Sequence, residues 1–145
     1  MRRYMLIVSA VLLVLSNGVL VQAETSQFDG TWKVTLTCEP TATGLGYTYK
    51  FGANVKDGML LGHYGEENQP NSLKITGQIE PDGSSMLQAT GEVGNTAYAG
   101  KAAVTGRAYN YVIKAQFKGS QGTGSRMMSS LRGTQRNCDV VFVKQ

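Results

Sequence analysis

From Thr31 onward, apolar and polar residues take turns along the chain. Trp32, Val34, Leu36 and Cys38 alternate with Thr31, Lys33, Thr35 and Thr37. Successive side chains of a strand point to opposite faces, so this spacing predicts a half-buried strand over Thr31–Cys38. A second strand is predicted over Tyr47–Val55, with Tyr47, Tyr49, Phe51, Ala53 and Val55 on its apolar face. Leu73, Ile75, Gly77 and Ile79 mark another over Leu73–Glu80, and Leu87 and Ala89 face inward on the one after it. The clearest alternation is Tyr109, Tyr111, Ile113, Ala115 and Phe117, a strand over Tyr109–Phe117. A weaker strand is expected over Arg126–Arg132, and a last one over Asn137–Val143 with Cys138, Val140 and Phe142 on one face. Residues 93–106 show no period and read as a long loop. Helix signals are almost absent after residue 23.

The turns between these runs are short. Asp57-Gly58 joins two strand-like segments, and both positions of such a two-residue hairpin need positive φ. That turn sets Lys56 against Met59, Val55 against Leu60, Ala53 against Gly62 and Phe51 against Tyr64. The apolar set of one strand then meets Leu60, Gly62 and Tyr64 of the next, which is self-consistent. Pro81-Asp82-Gly83 suits a type I turn closed by a left-handed glycine. Gly119 to Gly124 reads as a glycine-rich turn region. Eight strands joined in sequence by short connections predict an all-β, antiparallel up-and-down barrel, with a two-sheet sandwich as the other arrangement that brings the ends together.

The start of the chain follows another pattern. Arg2 and Arg3 precede a nearly unbroken apolar run from Tyr4 to Leu15, Ser16-Asn17-Gly18 breaks it, and Val21-Gln22-Ala23 offers small residues for cleavage. Residues 1–23 therefore read as a secretory signal peptide. The other reading is an uncleaved anchor, but the run falls short of the roughly 20 residues that a spanning helix needs. A lipoprotein does not fit, because the first cysteine is as late as Cys38. The remaining 122 residues, 24–145, make one domain long enough to bury a core, and no part of it can span a membrane as a helix. The expected location is the periplasm or the extracellular medium.

Charge and cysteine usage sharpen this picture. Beyond residue 23 there are 12 basic and 10 acidic residues, a net +2 that carries no nucleic-acid signature. The distribution is polarised: four basic against nine acidic residues from Glu24 to Gly100, eight against one from Lys101 onward. This fits either plain solvated surface or a basic wall that steers an anionic partner. The two cysteines, Cys38 and Cys138, predict a disulfide in an oxidising compartment. Set opposite each other on the first and last strands, they bring Leu36 to Val140 and Val34 to Phe142, apolar against apolar.

The segment Phe28-Asp29-Gly30-Thr31-Trp32 opens the first strand, and its Gly-x-Trp resembles the start of lipocalin- and avidin-type barrels. The resemblance covers about five residues and the topology. It implies a fold but no ligand: avidin-like biotin sites use several tryptophans and this chain has only Trp32. A lipocalin would carry a late helix that is not seen here. Over most of the domain the chain is also similar to a group of small exported bacterial proteins of uncharacterised function. The shared features are the Phe-Asp-Gly-x-Trp start, Tyr47-x-Tyr49-x-Phe51, Gly62-His63-Tyr64-Gly65 and a late cysteine followed by an apolar strand. That resemblance implies no activity.

Candidate chemistry is sparse. The one histidine, His63, is expected on the outer face near Gly52, and the cysteines are committed to a bridge. Glu66-Glu67 are adjacent acids whose side chains diverge, which makes a poor acid/base pair. Gly119 to Gly124 lacks the Gly-Lys-Ser/Thr ending of a phosphate loop. No catalytic set, metal cluster or cofactor motif is expected. The interior is more informative. Trp32, Tyr47, Tyr49, Tyr64, Tyr109 and Tyr111 all point inward among small residues such as Gly62, Gly77, Ala53, Ala89 and Ala115. An eight-stranded barrel is just wide enough to be filled by side chains or to hold one small ligand. These rings therefore either make a packed core or line a pocket for an aromatic, sugar or lipid-like molecule. The expected function is non-catalytic binding of a small apolar or aromatic ligand. The alternative is a protein-interaction module or an inhibitor of an envelope or secreted enzyme, which would use outward apolar residues such as Met59, Leu61, Val141 and Val143.

Overall fold

The computed structural model describes residues 25–100, 102–127 and 136–145. The leader read at 1–23, and residues 128–132 of the expected seventh strand, lie outside them. A short 3₁₀ turn, Thr25–Phe28, leads into β1 (Gly30–Cys38), β2 (Tyr47–Lys56), β3 (Met59–Tyr64) and β4 (Ser72–Gln78). After β5 (Ser84–Glu92) comes α1 (Thr96–Ala99), one turn of helix in the segment expected to be loop. Asn95 caps it, its side chain accepting from the Ala97 amide. β6 (Ala108–Lys118), β7 (Gln121–Arg126) and β8 (Cys138–Lys144) complete the chain. Each strand pairs antiparallel with the next and β8 returns to β1, closing an eight-stranded barrel.

The register follows the local chemistry. Asp57 and Gly58 take φ of 52° and 75°, as the two-residue turn requires, and Lys56 pairs with Met59, Val55 with Leu60 and Ala53 with Gly62. Gly83 is left-handed at φ 82° and its amide donates to the Glu80 carbonyl. Cys38 lies opposite Cys138 and is bonded to it, with Leu36 against Val140 and Val34 against Phe142. Closure removes every free sheet edge. Inward positions carry the core, including Val34, Leu36, Leu60, Ile75, Leu87, Ile113, Val140 and Phe142, all buried. Outward positions such as Lys33, Lys50, Lys56, Lys114 and Lys118 are exposed. This is the reverse of the apolar-out, polar-in pattern of barrels that cross membranes.

One strand departs furthest from expectation. β7 spans Gln121–Arg126, where a glycine-rich turn was expected, and the turn itself is only Gly119-Ser120. The reason is space inside the barrel. Gly122 and Gly124 point inward, and a Cβ on Gly122 would sit 2.6 Å from the Phe117 ring. A Cβ on Gly124 would sit 2.8 Å from the Lys114 carbonyl. These glycines make room for neighbouring strands and do not bend the chain. β4 is likewise shorter than expected, with Ile79 joined to Ser85 only by an isolated bridge.

The two ends of the barrel are unlike. At one end are the tight turns and the 3₁₀ turn, and here the interior is filled. Phe28, Trp32, Phe117 and Phe142 pack ring on ring, with centroids 6.0 Å apart for Phe28 and Phe117, 5.4 Å for Trp32 and Phe117, and 4.9 Å for Phe117 and Phe142. Trp32 Nε1 donates to the Phe28 carbonyl at 2.8 Å. Asp29 accepts from the amides of Asp57 and Gly58 at 2.9 and 3.0 Å, tying the entry of the chain to the β2–β3 turn. The Phe-Asp-Gly-x-Trp segment is thus a structural plug. The longer connections 39–46, 65–71 and 93–107 gather at the opposite end.

Candidate functional site

The loop end holds a cavity of about 260 Å³. β2 and β6 lie opposite each other in the ring of eight strands, and each contributes two inward tyrosines near this end. Residues two apart on a strand share a face, so Tyr47 and Tyr49 stand together on one wall and Tyr109 and Tyr111 on the other. All four line the cavity. Tyr49 is stacked on Tyr64 of β3 at 3.9 Å between centroids, and Tyr109 and Tyr111 are nearly parallel, 11° between planes. The loops add Thr41, Thr43, Asn71 and Tyr98. Tyr49 donates to the Asn71 side chain at 3.0 Å and Tyr109 to the Ser72 carbonyl at 2.8 Å, which fixes both rings. Gly91 lets Tyr109 lie flat, since a Cβ there would sit 2.6 Å from its hydroxyl.

Trp32 stands apart from this group. It is fully buried in the plug, six residues along β1 from Cys38, which is roughly 20 Å at the rise of a strand. Tyr64 touches the cavity only through Tyr49; its other side borders an outer pocket with His63, Glu67 and Lys74. His63 is exposed and opposite Lys74 on the outer face.

Two arginines complete the cup, and neither was among the expected site residues. Arg126 is the last residue of β7 and continues the inward series of Gly122 and Gly124, facing Ile113. Its guanidinium lies 4.5 Å from the centroid of the Tyr111 ring. Its Nε is buried and has no hydrogen-bond partner among the described residues. Arg136, just before β8, is buried and lies 5.1 Å from the Tyr47 centroid. It donates to the backbone carbonyls of Glu39, Leu45 and Tyr98 and so ties the 39–46 and 93–107 connections to the start of β8. The signal for both was the basic late half of the chain. It carries residues of the cup as well as solvated surface.

No family model, curated protein or solved structure matches the chain. The chemistry of the cup therefore has to be read from its own side chains.

Burial pushes the Tyr49 phenol up to about 12, helped by Tyr47 and Tyr64 beside it. Burial also raises Tyr109 and Tyr111, with neighbouring tyrosines adding to the effect. Tyr47 is raised by burial too, against the pull of Arg136 and Arg126. All four phenols stay protonated near neutral pH and act as neutral hydrogen-bond groups. Rings with polar tips around a small cavity can enclose a flat molecule and fix its orientation.

A larger concavity of about 850 Å³ lies on the outer wall of β5 to β8, lined by Met86, Lys114, Gln116, Thr123 and Val141 among others. It is more open than the cup, and its lining mixes apolar residues with polar and charged ones such as Gln78, Glu80, Ser125 and Asp139. Met59 and Leu61 on β3, and Val141 and Val143 on β8, point outward and are exposed. Among the described residues no helix is long and apolar enough to cross a membrane. The disulfide fits an oxidising compartment outside the cytoplasm.

Proposed function

We propose that this chain is an exported, non-catalytic binding protein that holds one small molecule, aromatic or apolar in body, in the tyrosine cup. The observation that carries the reading is the division of the interior. The barrel is filled from the plug to its middle, then opens into a cavity of about 260 Å³ walled by Tyr47, Tyr49, Tyr109 and Tyr111. A protein that needed these rings only as core would close over them; here they border open space. The neutral phenols suit binding better than nucleophilic attack. Both cysteines are in the bridge and His63 is on the outside, away from the cup. The leader-like start at 1–23 supports a place in the periplasm or beyond.

Native mass spectrometry of the protein, purified gently from its host's exported fraction, tests this. The expected result is a second species heavier by the mass of one small molecule. Its retention should fall when Tyr47, Tyr49 and Tyr111 are replaced by phenylalanine. A bare protein under conditions that keep the fold would overturn the reading. Capture of another protein instead would favour a second reading, an interaction module or enzyme inhibitor, for which the exposed pairs Met59/Leu61 and Val141/Val143 speak.

A further inference from the structure

The charge inside the cup says more about its occupant. A guanidinium keeps its proton at any ordinary pH, so Arg126 carries a full positive charge wherever it is placed. Burying such a charge is costly unless a hydrogen-bonded partner compensates it. Arg126 has a partly buried head group over Tyr111 and an orphan Nε. The one ion pair among the described residues, Lys74 with Glu67, lies on the outer surface. Arg136 is spent on three backbone carbonyls, which take three of its five N–H groups but leave its charge in place. Glu92, the one acidic residue among the described lining, is out of phase with the inward Leu87, Ala89 and Gly91 and makes no ion pair with either arginine. Among the described residues Arg126 therefore has no carboxylate partner.

We infer that the ligand of this cup is a small planar aromatic monocarboxylate, held by Arg126. This rests on the reading of the cup as a ligand seat. A half-buried guanidinium with no carboxylate partner among the described residues calls for one anionic group, and a carboxylate matches its planar fork. The walls are flat: Tyr109 and Tyr111 are nearly parallel, and Tyr49 is backed by Tyr64. A cavity of about 260 Å³ lies just below the usual range for drug-sized ligands, so it admits one or two rings rather than a chain. The neutral hydroxyl of Tyr47, the side chain of Asn71 and the loop residues Thr41 and Thr43 are further polar groups of the lining that can meet substituents on the ring.

The test compares matched acids and amides on the wild-type protein. Benzoate against benzamide, and phenylacetate against phenylacetamide, are titrated while NMR follows the Arg126 Nε–H and the rings of Tyr47 and Tyr111. The acid of a pair should bind about tenfold tighter than its amide, the size expected when a charge-assisted hydrogen bond replaces a neutral one. Arg126→Gln should remove that preference, and Arg126→Lys should keep part of it. Equal binding of acid and amide would overturn the inference and leave the cup as a seat for neutral molecules. A preference that survives Arg126→Gln would overturn the role of Arg126. No shift of cup resonances with any member of either pair would count against the cup itself. The acid–amide comparison needs no variant, so a misfolded Arg126→Gln protein would not spoil it.

Discussion

Trp32 is the residue whose loss the barrel should feel most while the cup feels it least. Its side chain is 0 % exposed, packs edge-on against Phe117 and donates to the Phe28 carbonyl. A buried tryptophan hides roughly 150–250 Å², worth about 4–6 kcal/mol at about 25 cal/mol per Å². Observed large-to-small losses of this kind are about 3–5 kcal/mol, because the site relaxes in part. The stranded Phe28 carbonyl adds about 1 kcal/mol. Trp32→Ala should therefore cost about 4–6 kcal/mol, a large share of the roughly 5–15 kcal/mol that holds a domain folded. Trp32→Phe keeps a ring and loses the hydrogen bond and some volume, so about 2–3 kcal/mol is expected. Urea unfolding followed by far-ultraviolet circular dichroism measures both, since Trp32 is the only tryptophan and its fluorescence goes with it. The slope with urea should hold while the midpoint falls. Trp32→Phe should leave affinity for any cup ligand unchanged, because the plug and the cup lie at opposite ends of β1. A cost below about 1 kcal/mol for Trp32→Ala would refute the plug, and a large loss of affinity in a folded Trp32→Phe protein would refute the separation.

Further predictions follow from the same geometry. Gly122→Ala places a Cβ 2.6 Å from the Phe117 ring and should lower stability by about 1–3 kcal/mol, read as a fall in the thermal midpoint; an unchanged midpoint would mean that β7 is not packed as described. The Cys38–Cys138 bridge closes a separation of 100 residues, so the paired change to alanine should cost up to about 4–5 kcal/mol, and a thiol titration of the denatured, unreduced protein should find no free thiol. At high pH the folded cup keeps phenolic protons that the unfolded chain, titrating near 10, has already lost. The folded state then binds more protons, and stability should fall as pH rises from about 10 through about 12 for Tyr49, with Tyr47, Tyr109 and Tyr111 adding to the fall. Tyrosinate absorbance should show part of the tyrosines ionising only as the fold is lost; all of them titrating together near 10 in a folded protein would contradict this.

Much of the barrel was legible in the chain because period-two patterns and turn chemistry are local. Asp57-Gly58 fixes the β2–β3 register by itself, and the two cysteines fix the β1–β8 register once each is known to face inward. β7 was not legible, because glycine is read as a turn signal, whereas Gly122 and Gly124 are required by Phe117 and Ala115, their partners on the adjacent strand β6. That misplacement also hid Arg126, which read as the polar start of a strand and is in fact the inward end of one. Inward direction was readable for Trp32 and the tyrosines alike, but height along the barrel axis was not. It depends on which end gathers the tight turns, and that separates Trp32 in the plug from Tyr47, Tyr49, Tyr109 and Tyr111 in the cup. The Phe-Asp-Gly-x-Trp segment has the same lesson: its aspartate is held below the usual carboxylate range by the Gly58 and Asp57 amides, a structural tie rather than a binding feature.

The most direct measurement is a crystal structure of the protein purified from its own host without unfolding. The expected result is density for a small planar molecule between Tyr47 and Tyr111, with a negatively charged group on Arg126. A cup filled by the chain's own side chains, with one of its own carboxylates on Arg126, would contradict both the ligand seat and its preference for an acid.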